Sequence, residues 1–416
     1  MTTPRLSDDR FRAIANEFGT PCWVYDREEI DKRLNRLQAM EGFTKIRYAQ
    51  KANSNTHLLR HLKSRGVVVD AVSLGEIERA AAAGYALTPQ SDDVVYASDI
   101  LDHGEMARIS ETGIAVNAGS PQMLEQIGSH SPGHRVWLRI NPGFGSGFSR
   151  KTNTGGEFSK HGIWHGDLAQ CYQMIEDYGL TLVGLHMHIG SGAEEAVLRR
   201  VCEAMVAQVK ACPFDLEAVS TGGGLPITHR AEDVEFDAPA YGQVWSAAKS
   251  EIEAYLGHRI ELEVEPGRYV IGNSGYLLSE VRAKKQMGEN QFVLLNAGFN
   301  DLVRPAMYGG YHQLNIIPRN GNGRPNATRK TIVAGPLCEA GDVFTQNADG
   351  VVEFCDLPEP SVGSLAVFSD CGAYCASMSS NYNSRTLAPE ILVEGESQRI
   401  IRKRQNFDDL LSLEDV

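Results

Sequence analysis

The sequence predicts an α/β protein: a (β/α)8 TIM-type barrel followed by a mainly β C-terminal domain. Eight short apolar runs alternate with segments of helical periodicity between residues 45 and 265, and repeated strand–helix units in this number are what such a barrel requires. After about residue 280 the helical periods give way to β-like runs separated by Gly, Pro and Asn, as in a β domain. A doubly wound open sheet is the alternative for the first part.

Each of the eight runs is short and apolar enough to be a buried strand. In chain order they are KIRYAQK (45–51), VVVDAV (67–72), DVVYAS (93–98), IAVNA (114–118), RVWLRI (135–140), LVGLHMHI (182–189), LEAVST (216–221) and IELEVE (260–265). Helical spacing of apolar residues marks the segments between most of them, for example GEIERAAAAGY (75–85), DLAQCYQMIEDYG (167–179), EEAVLRRVCEAMVAQVKA (194–211) and AYGQVWSAAKSEIEAYLG (240–257).

The C-terminal part contains the strand-like runs FVLLNAG, KTIVAG, LAVFSD and EILVEG, and a helical period returns only in NFDDLLSLEDV at the end. We expect the N-terminal run CWVYD to add a strand to this β domain. The predicted organisation is an N-terminal segment at 1–29 that contributes to the β domain, a barrel at 30–280, and the β domain itself at 281–416.

Composition limits the function classes. The 416 residues are 42% hydrophobic with interspersed charge, which is typical of a globular protein with a large core. A net charge of −13 argues against nucleic acid as a partner. No apolar run approaches the roughly 20 residues of a membrane helix, and the N-terminus does not resemble a signal peptide. Eight cysteines without CxxC spacing indicate reduced thiols, so we expect a cytoplasmic protein.

Polar residues cluster at the C-terminal ends of the predicted strands, which is where barrel active sites lie. Each of these residues alone would usually be a surface side chain or part of a turn, and only their joint placement indicates a site. In strand order they are Lys51 (first), Asp70 (second), Arg139 (fifth), His186 and His188 with Gly190-Ser191-Gly192 (sixth), Gly222-Gly223-Gly224 (seventh) and Glu265-Pro266-Gly267-Arg268 (eighth).

The residue types on this rim point to one cofactor. The glycine run at 222–224 allows backbone N–H groups to approach a phosphate, as barrels often do after strands 7 and 8, and Arg268 can add a charge-assisted contact. Glu265 suits a protonated ring nitrogen, His188 can stack on a flat ring, and Lys51 can form an imine with an aldehyde. A phosphate, a pyridinium nitrogen and an imine together describe pyridoxal 5′-phosphate (PLP).

A zinc site is the competing interpretation. His186 and His188 form an HxH pair on a strand, so that both rings face one side, and barrel hydrolases hold zinc with such a pair. In those enzymes the pair lies on the first strand, whereas here it lies on the sixth, and no other His or Asp is spaced to complete the shell. We therefore expect no metal at this rim.

The sequence also resembles a known family, the diaminopimelate decarboxylases, which are PLP enzymes of the alanine-racemase fold group. The matching motifs are YAQKANSN, VDAVSLGEIERA, HMHIGSG, TGGGL, EPGR, GPLCEAGD and DCGAYCASMSSNYNSR. They are long and occur in the same order, and the resemblance runs from about residue 20 to the C-terminus. It implies decarboxylation of meso-2,6-diaminopimelate at its D-configured centre to L-lysine and carbon dioxide, the last step of lysine biosynthesis.

The resemblance implies a role for each rim residue. Lys51 would be the Schiff-base lysine, His188 would stack on the cofactor ring, and Glu265 would pair with the pyridine nitrogen. The phosphate would be held by Ser191, the glycines ending at Gly224, and Arg268, and Tyr374 would reach both phosphate and substrate. Gly267, Asp70 and Arg139 complete the set of expected cofactor-binding residues, and Lys51, His188 and Cys338 are the expected catalytic residues.

Substrate binding is implied for Arg268, Arg304, Tyr308, Glu339 and Tyr374. Arg304 suits the distal carboxylate of the substrate because its fork can bind bidentately, and Glu339 suits the distal ammonium. Cys338 would return a proton after carbon dioxide leaves, because a thiol near neutral pKa can act as an acid. In the family the Cys-Glu segment comes from the second subunit of a homodimer, so a shared active site is expected.

Two alternatives stay open on the same scaffold: a decarboxylase of arginine, ornithine or carboxynorspermidine, and a PLP-binding regulator without catalysis. The presence of both Lys51 and Cys338 argues against the regulator. The chain departs from the family with Ala340 in CEAGD, where CESGD is usual, and with Cys371 and Cys375 around GAY, which could oxidise if exposed. Residues 143–160, rich in Gly, Ser and Thr, are expected to form a moving lid.

Overall fold

The computed structural model describes residues 6–147, 152–191, 195–230, 232–321 and 327–414. Its strands are β1 Cys22–Asp26, β2 Lys45–Ala49, β3 Val68–Ala71, β4 Val94–Ser98, β5 Ala115–Ala118, β6 Arg135–Asn141, β7 Ile163–Trp164, β8 Thr181–Met187, β9 Ala218–Ser220, β10 Glu261–Val264, β11 Gly275–Met287, β12 Asn290–Leu295, β13 Leu314–Ile317, β14 Thr328–Ala334, β15 Cys355–Pro358, β16 Leu365–Phe368, β17 Glu390–Glu394 and β18 Ser397–Arg402. Its helices are α1 Asp8–Phe18, α2 Arg27–Gln38, α3 Thr56–Ser64, α4 Leu74–Ala83, α5 His103–Thr112, α6 Pro121–His130, α7 Leu168–Asp177, α8 Glu195–Ala211, α9 Ala238–Leu256, α10 Arg268–Ile271, α11 Arg304–Tyr308 and α12 Phe407–Leu411.

The chain divides into two compact units. One, the barrel unit, comprises Arg33–Ile227 and Glu235–Val270; the other, the β unit, comprises Met1–Lys32, Thr228–Val234 and Ile271–Val416. The domain bounds predicted from the sequence, 1–29, 30–280 and 281–416, stay a prediction.

The barrel unit contains a closed parallel barrel. Its strands pair in the order β5-β4-β3-β2-β10-β9-β8-β6, and β5 also pairs with β6 to close the ring. All eight predicted strands are present, so the predicted barrel is confirmed and the open doubly wound sheet is wrong. Inside the ring, apolar side chains from five strands pack together: Val95, Ala115, Trp137, Val183 and Ala218.

Local sequence signals explain where the outer helices begin and end. The side chains of Ser73, Asp102 and Ser120 each accept a hydrogen bond from a backbone N–H in the first turn of α4, α5 and α6, which satisfies donors that a helix start leaves unpaired. Gly84 and Gly113 end α4 and α5 in the left-handed conformation that glycine adopts without strain. These caps turn the chain back towards the next strand.

The β unit is built on a sheet in the order β15-β14-β12-β11-β1-β17-β18, with β16 paired to both β11 and β13. The predicted N-terminal strand is present as β1, antiparallel to β11 and parallel to β17. Phe11 and Ile14 of α1 pack on the core of this sheet.

Two elements of the β unit lack a clear sequence signal. Strand β11 is buried in its first half and exposed in its second half, where charged residues interrupt the apolar pattern. Helix α1 begins at the Ser7 cap and contributes only a few buried residues, among them Phe11 and Ile14. Among the described residues, every helix is too short or too polar to cross a bilayer.

Candidate active site

Lys51 lies at the mouth of the barrel, in the 3-10 turn Gln50–Ala52 directly after β2. Its side chain is exposed, and its positive charge acts on Asp70, Glu76 and His188. The preceding residue, Gln50, is fully buried, and neither its amide nitrogen nor its amide oxygen has a hydrogen-bond partner among the described residues. Buried polar atoms rarely lack a hydrogen-bond partner. This indicates that the turn binds a polar group that is not part of the chain.

Glu265 follows β10 and is held as a carboxylate. His186 Nε2 lies 2.7 Å from one of its oxygens, and the Ser220 hydroxyl donates to the other at 2.9 Å. Burial by itself raises the pKa of Glu265, but His186, Ser220 and the nearby Arg47 outweigh it and hold the pKa well below its ordinary value. A buried anion is therefore fixed at the rim.

His188 presents a neutral ring. The backbone N–H of Gly223 donates to its Nδ1 at 3.2 Å, so the ring proton is on Nε2. Burial first, and then the charges of Lys51 and Arg139, lower its pKa well below the ordinary value. A neutral imidazole held by a backbone bond can stack on an aromatic ring without adding charge.

Glycines allow three rim loops to approach one another. A Cβ at Gly223 would lie 2.2 Å from the carbonyl oxygen of Glu265, and a Cβ at Gly224 would lie 2.3 Å from that of Gly190. Gly222 and Gly224 also adopt positive φ angles of 63° and 93°, which other residues rarely do. The loops after β8, β9 and β10 thus form a cradle lined by backbone, of the kind that binds phosphate.

An acid pair stands beside Lys51. Asp70, on β3, is buried, and its Oδ1 has no hydrogen-bond partner among the described residues. Burial and the Glu265 charge raise its pKa. Glu76 accepts a hydrogen bond from the Val72 N–H at 2.9 Å, yet burial and the Asp70 charge raise its pKa to about 7. Sequence reasoning missed Glu76, because the spacing Ser73-x-x-Glu76 marks an ordinary helix start.

Arg139 on β6 is buried next to a second pair that the sequence analysis missed. His161 Nδ1 lies 2.8 Å from Asp99 Oδ2, and the Gly162 N–H donates to Asp99 Oδ1 at 2.9 Å. Burial raises the pKa of Asp99, but the hydrogen bonds from His161 and Gly162 and the charge of Arg139 lower it by more, so the net shift is downward. Because 62 residues separate Asp99 from His161, no local pattern could reveal the pair.

The segment predicted to be a lid, 143–160, is only partly described, since residues 148–151 lie outside the described residues. Its ends are tied to the loop after β8. The N–H groups of Ser146 and Thr154 both donate to the carbonyl of Ile189, at 3.1 and 3.2 Å, and the Ser191 N–H donates to Thr152 at 3.2 Å. The described part of the segment thus lies on the same loop as His188 and Ser191, and lid motion stays a prediction.

The last rim residues follow β10. Gly267 leads directly into α10, whose first residue, Arg268, is buried. Together the rim offers a lysine, a buried carboxylate, a neutral imidazole, a glycine cradle and a buried arginine. This donor set matches an aldehyde, a protonated ring nitrogen, a flat ring and a phosphate, so the residues present fit PLP.

Comparison with known proteins decides the family. Residues 27–272 match the family model for the pyridoxal-binding domain of pyridoxal-dependent decarboxylases. A diaminopimelate decarboxylase of Streptomyces coelicolor is 52% identical over 98% of this chain and 92% of its own length. The chain belongs to the diaminopimelate decarboxylase family.

Solved structures agree with this assignment. A crystal structure of a diaminopimelate decarboxylase matches with a TM-score of 0.95 and 51% identity, over 99% of this chain and 98% of that one. The Helicobacter pylori diaminopimelate decarboxylase complexed with L-lysine matches with a TM-score of 0.85 and 28% identity, over 97% and 99%. The predicted family and PLP as cofactor are confirmed. The zinc-hydrolase interpretation is wrong, and among the described residues His186 and His188 belong to no group of three metal-ligand side chains.

In the β unit of the decarboxylase, two predicted substrate residues share one helical turn. Arg304 begins α11 and Tyr308 ends it, and the guanidinium carbon of Arg304 lies 5.9 Å from the centre of the Tyr308 ring. Arg304 is buried, and its Nε has no hydrogen-bond partner among the described residues. A buried arginine with an unused donor is suited to an anionic ligand.

The segment Cys338–Glu339 is exposed but firmly held. The Cys338 N–H donates to the Asn383 side chain at 2.8 Å, and the Tyr382 hydroxyl donates to Glu339 Oε2 at 3.2 Å. Tyr382 in turn stacks on Phe299, with ring centres 5.3 Å apart. Asn383 and Tyr382, in the NYNSR run at 381–385, thus hold the backbone of the predicted proton donor and the carboxylate of Glu339.

Tyr374 lies in a tight loop after β16 and has a positive φ of 57°, which is strained for a non-glycine residue. Gly372 makes the loop possible, because a Cβ there would lie 1.7 Å from the carbonyl oxygen of Ile271. The flanking Cys371 and Cys375 are fully buried. The oxidation expected for exposed cysteines therefore does not apply to them.

Proposed function

We propose that this chain decarboxylates meso-2,6-diaminopimelate to L-lysine and carbon dioxide with PLP as cofactor. One observation carries the proposal: 52% identity, over 98% of the chain, to a relative that is named diaminopimelate decarboxylase. The rim chemistry supports it, since a buried carboxylate such as Glu265 keeps a ring nitrogen protonated. When bound, PLP supplies the electron sink for the charge that remains as carbon dioxide departs.

The barrel residues hold and orient that cofactor in this proposal. Lys51 would attach it covalently, Glu265 would pair with its ring nitrogen, and His188 would pack against the ring. Ser191, Gly222–Gly224 and Gly267 would hold its phosphate, with Arg268 as counter-charge. Asp70 and Arg139 would supply charge beside the ring. Burial raises the pKa of Asp70, and the positive charge of Lys51 partly offsets that rise.

Residues of the β unit have proposed roles on the substrate side. The buried guanidinium of Arg304 binds a carboxylate together with Tyr308, and Arg268 of the barrel and Tyr374 contribute further contacts. Glu339 binds the distal ammonium. Cys338 delivers a proton to the carbon that loses carbon dioxide, with its backbone fixed by Asn383.

We further propose a homodimer in which Cys338 and Glu339 serve the active site of the partner subunit. The support is that this segment is exposed while its backbone and carboxylate are held by Asn383 and Tyr382. An exposed, well-ordered pair of functional side chains is what a residue donated to a second chain requires. A cytoplasmic location is proposed as well, supported by eight unpaired cysteines, and cell fractionation would test it.

Carbon dioxide release tests the substrate. Purified protein loaded with PLP is offered meso-diaminopimelate, arginine, ornithine and carboxynorspermidine in parallel. We expect release from diaminopimelate alone, because an arginine and a glutamate together match its zwitterionic distal end. Release from one of the other substrates instead would replace the proposed specificity, and release from none would favour the non-catalytic regulator.

Mixing two inactive variants tests the shared site. Lys51→Ala and Cys338→Ala chains are unfolded together, refolded and assayed. One intact site per heterodimer should return up to about a quarter of wild-type activity if subunits mix randomly. Mixing Lys51→Ala with Lys51→Ala/Cys338→Ala is the control that should stay inactive. Absence of recovery in mixed dimers, confirmed by mass, would contradict a shared site.

A further inference from the structure

The β unit contains a buried group of metal-type side chains that has no role in the site described above, although two of its members flank Tyr374. His312 lies before β13, and Cys371 and Cys375 lie in the loop after β16. One ligand atom from each of the three lies within 4.8 Å of the other two, and all three side chains are buried. Two thiols and an imidazole are the ligands that zinc and other soft or borderline cations prefer.

A fourth donor completes the group. The carbonyl oxygen of Ser369 lies 3.0 Å from His312 Nδ1 and 3.3 Å from Cys371 Sγ, and the Nδ1–Sγ distance is 3.4 Å. With Zn–S near 2.3 Å and Zn–N near 2.0–2.1 Å, the edges of a tetrahedral site are roughly 3.3–3.8 Å. The three edges among Ser369, His312 and Cys371 are therefore within a few tenths of an ångström of those that a bound cation requires, and Cys375 Sγ lies within 4.8 Å of the other two side-chain ligand atoms.

Without a cation, hydrogen bonds join the group. His312 Nδ1 and the Cys371 thiol both donate to the carbonyl oxygen of Ser369, whose two lone pairs can accept both. The other ring nitrogen, Nε2, is buried and has no hydrogen-bond partner among the described residues. A cation at the centre would take the Cys371 sulfur and His312 Nδ1 as ligands, and Nε2 would then carry the imidazole proton.

The backbone holds the two cysteines in place at some cost in strain. Asp370 and Tyr374, the residues directly before them, have positive φ angles of 58° and 57°, which non-glycine residues adopt only where the surroundings impose it. The Asp370 side chain accepts a hydrogen bond from Asn273 at 2.6 Å, and Asn273 also donates to the carbonyl of Thr228 at 3.1 Å. The loop is thus fixed before any ligand arrives.

We propose that His312, Cys371, Cys375 and the Ser369 carbonyl form a structural site for a soft or borderline cation such as Zn²⁺. Binding releases the two thiol protons to solvent and moves the imidazole proton of His312 from Nδ1 to Nε2, and it involves no change of oxidation state. Three of the four ligands lie in the segment 369–375, which also carries Tyr374, so the cation adds a further link to a loop that the backbone already holds. This site does not depend on the proposed decarboxylation.

Metal content of the purified PLP-bound protein tests the site. Protein expressed with added zinc and then dialysed should contain about one zinc per chain by elemental mass spectrometry. The Cys371→Ser/Cys375→Ser variant should lose it, whereas Cys355→Ser, in the same unit but outside the group, should keep it. Retention of the visible PLP band in each variant shows that the barrel is folded. Equal zinc in wild type and double variant would overturn the proposal.

Cobalt provides a readout that needs no variant. Co²⁺ in place of zinc should give wild-type protein a thiolate-to-metal charge-transfer band in the near ultraviolet, and a wild type without that band overturns the proposal. A thiol titration in denaturant and chelator distinguishes a metal site from a disulfide between Cys371 and Cys375. All eight thiols should react; two fewer in wild type, but not in the double variant, would mean a Cys371–Cys375 disulfide instead of a metal site.

Discussion

Two layers of charge lie one above the other in the barrel, and they are built differently. In the lower layer Arg47 donates to both oxygens of Glu263, at 2.8 and 3.0 Å, and its remaining nitrogen donates to two backbone carbonyls. In the upper layer Gln50, Asp70 and His186 each keep a buried polar atom without a partner among the described residues. Arg47 is on β2 and Glu263 is on β10, whereas Gln50 follows β2, Asp70 is on β3 and His186 is on β8.

The difference separates folding from function. A buried ion pair is tolerated in a fold only when its hydrogen bonds are complete, as they are for Arg47 and Glu263. Unpartnered polar atoms in the upper layer cost stability and are explained only if a ligand completes them. Arg47 is on the strand that leads into the turn of Lys51, and Glu263 is on the strand that ends one residue before Glu265. Residues of the lower layer thus stabilise the fold, whereas residues of the upper layer bind a ligand, although both layers contain charged side chains.

The largest expected effect is on Lys51. Lys51→Ala should reduce turnover by at least about 10³-fold and remove the visible absorption of bound PLP, because the covalent attachment is lost. The thermal midpoint of the protein without cofactor should change little, since the side chain is exposed. Lys210→Ala, an exposed lysine of the same unit, is the control. Substantial activity in Lys51→Ala would contradict the division into layers.

In the lower layer, the effect should fall on stability. Glu263→Ala leaves the Arg47 charge buried and unpaired, and should reduce the free energy of unfolding by about 3–5 kcal/mol. Glu261→Ala, which removes a half-exposed partner of Lys45 on the same strand, should cost less than about 1 kcal/mol. Urea unfolding of both variants measures the difference. Similar values for the two would show that the lower layer does not support the fold.

Glu265→Gln tests the upper layer by removing charge while keeping shape. Turnover should fall about 10²-fold with little loss of stability, because the amide can still bond to Ser220 but cannot keep a ring nitrogen protonated. The absorption spectrum of bound PLP should shift as well. Glu217→Gln, an exposed glutamate just before β9, should leave turnover and spectrum unchanged. Full turnover in Glu265→Gln would show that the charge of this residue is not needed for the reaction.

The smallest expected effect is the pH dependence that Glu76 gives to the protein without cofactor. Its pKa is raised from 4.5 to about 7 in the folded state, so folding favours the protonated form. Its stabilising contribution is complete below pH 4.5 and is lost as the pH rises to about 7, in total roughly 3 kcal/mol. Glu76→Gln should flatten the stability curve between these values. Glu78→Gln, exposed on the same helix, should not; equal slopes in Glu76→Gln and wild type would contradict the shift.

Sequence periodicity was sufficient for the barrel because each strand and helix is a local pattern with a local cap, as in Ser73 and Asp102. It also placed the rim residues on one face, since parallel strands bring their C-terminal ends together. It was not sufficient for β11, whose second half is polar and exposed, nor for α1, which packs on the β core with few side chains.

The sequence by itself determined the alternation of strands and helices, the motifs of the rim and the family resemblance. The tertiary structure alone decided which polar atoms are satisfied: Arg47 with Glu263, Asp99 with His161, Cys338 with Asn383, and the cysteines with His312. These partners are 45 to 216 residues apart. Local patterns encode elements, but burial and pairing arise only when distant segments pack, and it is those contacts that set the charges of the site.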